Sequence, residues 1–147
     1  MRGLPDAVLF SCTFNSVRSP MAEGLLKHVL GHKVYVDSVG VRSREIDPFV
    51  IEVMDELGID MSRHRPKAFE DLEDTSYDLI ISLSPEAQHK AVELTRTMAC
   101  DVEFWNTFDP SLAEGNREAR LAAYRQVRDH LMARIRERFT LDLKPNV

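Results

Sequence analysis

The chain has 147 residues, 44% hydrophobic and 29% charged, with a formal net charge of −5. That length suits one domain, expected over residues 1–147, with enough material to bury a core. A negative balance without a basic tract argues against nucleic acid as a partner, and no apolar run is long enough to span a membrane.

In chain order, Ala7 to Phe10 reads as a first strand, short and continuously apolar, as strands buried on both faces tend to be. Ser19-Pro20 carries an N-cap and first-turn proline signal for a first helix, with Met21, Leu25 and Val29 on one face and Gly31 at its end. Val34-Tyr35-Val36 is a second strand. Asp47-Pro48 repeats the helix-start signal, and Val50, Val53, Met54 and Leu57 follow at helical spacing up to Gly58. Residues 60 to 76 are irregular and read as a surface connection. Leu79-Ile80-Ile81 is a third strand, Ser84-Pro85 opens a third helix, and Val102 to Trp105 is a fourth strand. A last helix runs from near Asn116 to about Phe139, with Leu121, Tyr124, Val127, Leu131 and Ile135 on one face.

Strands alternating with helices imply an α/β fold of three layers: a central four-stranded parallel sheet with helices on both faces. Ligands in such sheets bind beyond the carboxyl ends of the strands. The stretch that follows the first strand therefore carries weight. It begins with Cys12, ends with Arg18 five residues beyond the intervening loop's start at Thr13, and runs into a helix. A loop over a helix N-terminus turns backbone N–H groups inward, and the helix dipole adds positive potential. Arg18 supplies a planar fork for two oxygens of a tetrahedral oxyanion. The same field favours the thiolate of Cys12, a nucleophile aimed at phosphorus, which the Ser19 hydroxyl can stabilise. The plain alternative is a buried small apolar cysteine. The strand before, the helix start after, and Asn15 and Ser16 between weigh against it.

Asp109-Pro110, after the fourth strand, lies on the same sheet edge. It can supply a proton to a leaving oxygen, or it can simply cap a helix opened by Pro110. His28 and His32 have metal-ligand spacing, but Gly31 ends the helix between them, so surface histidines are expected and no metal or other cofactor is required. Cys12 and Cys100 make no disulfide framework, and a reactive thiol needs a reducing compartment. A cytoplasmic protein is therefore expected, consistent with the lack of a signal-peptide pattern at Met1-Arg2-Gly3-Leu4-Pro5.

The run from Cys12 to Glu23, Cys-Thr-Phe-Asn-Ser-Val-Arg-Ser-Pro-Met-Ala-Glu, resembles the phosphate loop of the low-molecular-weight protein tyrosine phosphatases, shared with the thioredoxin-coupled arsenate reductases. The resemblance implies Cys12 as nucleophile, Arg18 as oxyanion clamp and Asp109 as general acid and base. It also implies a substrate-binding loop of Thr13, Phe14, Asn15, Ser16, Val17 and Ser19, with Asn15 and Ser19 as supports. Expected ligands are a phosphorylated protein or small aryl phosphate, with phosphate, sulfate or arsenate filling the loop.

The match has departures. Phe14 stands where the phosphatases usually have Gly, and is strained if that position needs an unusual backbone. Val17 replaces a second loop cysteine, so a disulfide within the loop is impossible. Ser111-Leu112 stands where aromatic residues usually wall the pocket, so Phe14 or residues 41 to 46 are expected to wall it instead. Leu83-Ser84 replaces a Met-Asp pair. The segment from Trp105 to Asp129 is similar to the arsenate reductases, but their two further redox cysteines have no counterpart here: one position is Ser84, and Cys100 lies too near Trp105 to match the other. Three readings follow: phosphatase, arsenate reductase using an external small thiol, and non-catalytic binder of phosphorylated ligands.

Overall fold

The computed structural model describes residues 3–73 and 76–139. The reading of Met1-Arg2 and the outer ends of the expected 1–147 domain lie outside the described residues. Four strands, β1 (Ala7–Cys12), β2 (Tyr35–Gly40), β3 (Leu79–Ser82) and β4 (Asp101–Phe104), alternate with helices α1 (Arg18–Leu30), α2 (Pro48–Asp55), α3 (Pro85–Leu94) and α4 (Arg117–Phe139). All strand pairs are parallel, in the order β2-β1-β3-β4.

β1 is central and buried throughout. Its alternating side chains enter two cores, because successive residues of a strand face opposite sides. Val8, Phe10 and Cys12 join α1, α2 and α4 on one side, while Ala7 and Leu9 meet Phe69, Tyr77 and Ala91 of α3 on the other. The chain leaves β1 to pair β2 on one side, then crosses over to place β3 on the other. The carboxyl end of β1 is thus the switch point, where an open α/β sheet leaves a crevice.

Four details differ from the sequence expectation. β1 continues two residues past Phe10, because Ser11 and Cys12 pair with Val39 and Gly40 of a β2 that is itself longer than Val34–Val36. α1 starts at Arg18 with Val17 at its N-cap, not at Ser19. The Ser19 hydroxyl is used elsewhere, on the thiol side of the loop, and no side chain caps this helix. Strand β4 begins at Asp101 and ends before Trp105. The segment 60–76 is more than a surface connection: Met61, Ala68 and Phe69 are buried, and a short 3-10 turn covers Phe69–Asp71. The caps at Asp47 and Ser84 form as expected, accepting from Phe49 and Ala87 N–H respectively.

Candidate active site

The loop between β1 and α1 is shaped by a neighbouring strip. Val41 N–H donates to Cys12 O (3.0 Å), Arg42 N–H to Thr13 O (2.9 Å), Arg44 N–H to Phe14 O (3.1 Å) and Asp47 N–H to Ser16 O (3.1 Å). Asn15 O faces His64 Nε2 at 3.2 Å. In a trans peptide each carbonyl points opposite to the next residue's N–H. Drawing these carbonyls outward therefore turns the amides of Thr13 to Val17 the other way. None of those amides finds an acceptor among the described residues. Successive unclaimed N–H groups at a helix N-terminus form an anion-binding nest.

Close approach makes this possible. A Cβ on Gly40 would lie 2.6 Å from Asn15 N and 2.7 Å from Phe14 C, so only glycine lets the loop lie against β2. The unusual backbone is at Asn15, φ +54°, and not at Phe14. Asparagine tolerates the left-handed region better than most residues. Its side chain is also locked: Nδ2 donates to Ser19 Oγ and Ser38 Oγ (2.9 Å each), and Oδ1 accepts from Lys67 N–H at 3.0 Å. His64 Nε2 lies 3.1 Å from the same Oδ1, so this nitrogen carries the ring proton. Asn15 thus supports the loop through residues 23 to 52 positions away, beyond the local backbone bonds its type suggests.

At the nest's floor, Cys12 Sγ lies 2.9 Å from Ser19 Oγ and 3.4 Å from Ser19 N, whose N–H donates to it. Ser19 Oγ also lies 3.2 Å from Val39 O and already accepts from Asn15. Its one proton can therefore turn from a carbonyl to a thiolate without the oxygen moving. Arg18, 9% exposed, donates through Nη1 to Thr107 O (3.0 Å), and Nη2 lies 3.9 Å from Asp109 Oδ2. Asp109 uses its two oxygens differently: Oδ1 accepts from Ser111 N–H (3.0 Å) and Oγ–H (2.7 Å), while Oδ2 faces the arginine. The cap and the site-facing carboxylate are one residue.

A cavity of about 350 Å³ opens over this floor. Cys12, Ser16, Val17, Arg18 and Asp109 line it together with Phe14, Arg44–Pro48 and Ser111. Thr13 and Asn15 face away from it, Thr13 donating through Oγ1 to Ser84 Oγ at 3.0 Å. Sequence reasoning missed Gly40, Ser38, His64 and Lys67, all of which act on the loop from afar. A glycine ending a strand beside a loop was the one available signal. Arg44 falls within the stretch 41 to 46 that was expected, with Phe14, to wall the pocket, and Phe14, Arg44, Glu45 and Ile46 do line it. Cys100 sits before β4 and faces the other sheet end: Asp101 is in register with Leu79 and Val8, four residues, or about 13 Å, from Cys12. Burial pushes its thiol above the ordinary 9.0.

A parallel α/β sheet with a thiol, an amide nest and an arginine at its switch point defines the class of cysteine-centred phosphate-loop proteins. The model of the low molecular weight phosphotyrosine protein phosphatases matches residues 7–141, and the chain belongs to that family. It is similar to an arsenate reductase of Shouchella clausii, 36% identical over 131 residues, covering 88% of this chain and 92% of that protein. Among solved structures it is similar to an arsenate reductase in the phosphate binding state, with 30% identity, TM-score 0.72, and 92% and 98% of the two chains covered. A low molecular weight protein tyrosine phosphatase from T. tengcongensis has 27% identity and TM-score 0.74, with 94% and 99% covered. Among the described residues no helix is long and apolar enough to cross a membrane.

Proposed function

We propose that the chain hydrolyses aryl phosphate monoesters, phosphotyrosine among them, through a phosphocysteine intermediate. The observation that carries this reading is Asp109 Oδ2, directed at Arg18 in the lining of the cavity that holds Cys12. A carboxyl there can protonate a departing phenolate, a proton that the oxygen lost from arsenate needs as well; what favours the ester is that the other thiol of the chain, Cys100, lies at the far sheet end. In the first step Cys12 Sγ bonds to phosphorus as the ester P–O bond breaks, and protonated Asp109 gives its proton to the departing phenolate. In the second, water attacks phosphorus, Asp109 takes a proton from it, the S–P bond breaks and phosphate leaves. Arg18 and the amides of Thr13 to Val17 hold the equatorial oxygens in both steps. Ser19 stabilises Cys12 as thiolate and leaving group.

Relatives called arsenate reductases favour a second reading, in which Cys12 attacks arsenate and an external small thiol supplies the electrons. The chain's other thiol, at the far sheet end, cannot serve as an internal relay. Two assays of the purified protein separate the readings: hydrolysis of para-nitrophenyl phosphate, and arsenate reduction with added small thiols. Ester hydrolysis, abolished in Cys12→Ser, is expected. Arsenate turnover with negligible ester hydrolysis would replace the phosphatase reading with the reductase one, and silence in both would leave a binding role.

A further inference from the structure

Phe14 sits in the middle of the anion loop, where a large side chain does nothing for the amide nest. Its ring instead carries a cation. The Arg44 guanidinium carbon lies 3.8 Å from the ring centroid, while Arg42 lies 5.3 Å away. The two arginines differ in what else they hold. Arg42 is committed to Glu86, with Nη2 at 3.1 and 3.0 Å from the two carboxylate oxygens. Arg44 is exposed, lines the cavity, and has no carboxylate partner among the described residues. Stacking on an aromatic face holds a guanidinium flat and leaves its edge donors free for an acceptor. The Arg44 backbone is fixed too, through its N–H on Phe14 O.

The other charges on this wall are accounted for. Asp47 caps α2 and accepts from the Tyr124 hydroxyl, and Asp109 faces Arg18. Glu45 lines the same cavity, whereas the Arg44 guanidinium is held in place there by the Phe14 ring. An anionic group on the substrate is therefore read on the Phe14 side. Beside Asp109, exposed Phe108 (59%) and Leu112 (70%) offer apolar surface, which suits a flanking peptide chain better than a free small anion.

Resting on the phosphatase reading, we infer that Arg44, oriented by Phe14, is a specificity-determining residue that selects phosphotyrosine peptides with an acidic residue next to the phosphotyrosine. The experiment compares kcat/KM for para-nitrophenyl phosphate with that for phosphotyrosine peptides carrying Asp, Asn or Lys on one side or the other of the phosphotyrosine. The expected order is Asp over Asn over Lys on one side, by about two- to fivefold per step, as for one exposed charge pair, and shrinking with added salt. Arg44→Gln flattens the order and Arg44→Glu inverts it, which a merely misfolded variant cannot do. An order that survives Arg44→Gln overturns the proposal. So does para-nitrophenyl phosphate turnover with no dependence on the flanking charge, which leaves the phosphatase reading standing. Failure of the wild type to cleave any of these esters overturns both.

Discussion

At the scale of single residues, the site divides labour between the atoms of one side chain. Asp109 holds its own backbone turn through Oδ1 and offers Oδ2 to the cavity. Asp109→Ala is therefore expected to slow aryl phosphates with poor leaving groups by roughly 100- to 10,000-fold while sparing those with good ones, measured as a leaving-group series. Equal loss across the series would mean that only the turn was damaged. Asn15 divides its work in the same way, with one side-chain end on Ser19 and Ser38 and the other on Lys67 and His64. Asn15→Ala keeps the positive φ demand and loses every side-chain tie. A stability loss on the order of 2 kcal/mol is expected in chemical denaturation, larger than for Asn15→Gly, which relieves the backbone.

At the scale of elements, the phosphate loop is an extension of sheet pairing. The strip from Val41 to Asp47 continues β2 past Gly40 and binds the loop carbonyls one after another. Gly40→Ala puts a methyl against Asn15 N and Phe14 C, and against Arg42 O at 2.3 Å, so backbone must shift on both sides. The variant is expected to fold with reduced stability and to lose phosphate affinity, read by calorimetric titration with inorganic phosphate. Unchanged affinity would show that the nest does not depend on this approach. The local half of the site was legible in the sequence: thiol, arginine, helix start and Asp-Pro pair each follow a strand end and need only chain order. The distant half was not. Gly40, Ser38, His64 and Lys67 reach Asn15 across 23 to 52 residues, and no periodicity or cap signal encodes such contacts. Ser19 was legible as a support of the thiol and misplaced as a cap: the helix begins one residue earlier, at Arg18, and the Ser19 oxygen accepts from Asn15 Nδ2 in place of a first-turn N–H.

For the whole molecule, the loop is tied to acid stability through one histidine. The His64 side chain is 6% exposed, and burial holds its imidazole below the ordinary 6.5, against the opposing pull of Glu23. Asn15 O also raises it, Lys67 lowers it further, and Asp37 raises it. A group depressed on folding favours its neutral form in the native state. Its stability contribution is thus complete above pH 6.5 and is lost as pH falls toward the folded value. The thermal midpoint is expected to drop between pH 7 and pH 5.5, with a shallower drop in His64→Gln. Identical slopes would assign the acid sensitivity to other groups.

The strip beside the loop has one more consequence. It grips the loop's main chain through its own backbone amides, with the Glu45 carbonyl accepting from Ser16 Oγ, so the shape of the nest does not depend on which side chains residues 41 to 46 carry. Change of preference and loss of mechanism are therefore separable by kind of mutation. Substitutions in this strip retune what enters the cavity, whereas a single inserted or deleted residue shifts every amide off its carbonyl and dismantles the nest. Relatives of this chain can diverge widely in what they act on through point changes here, provided the length of the strip is kept.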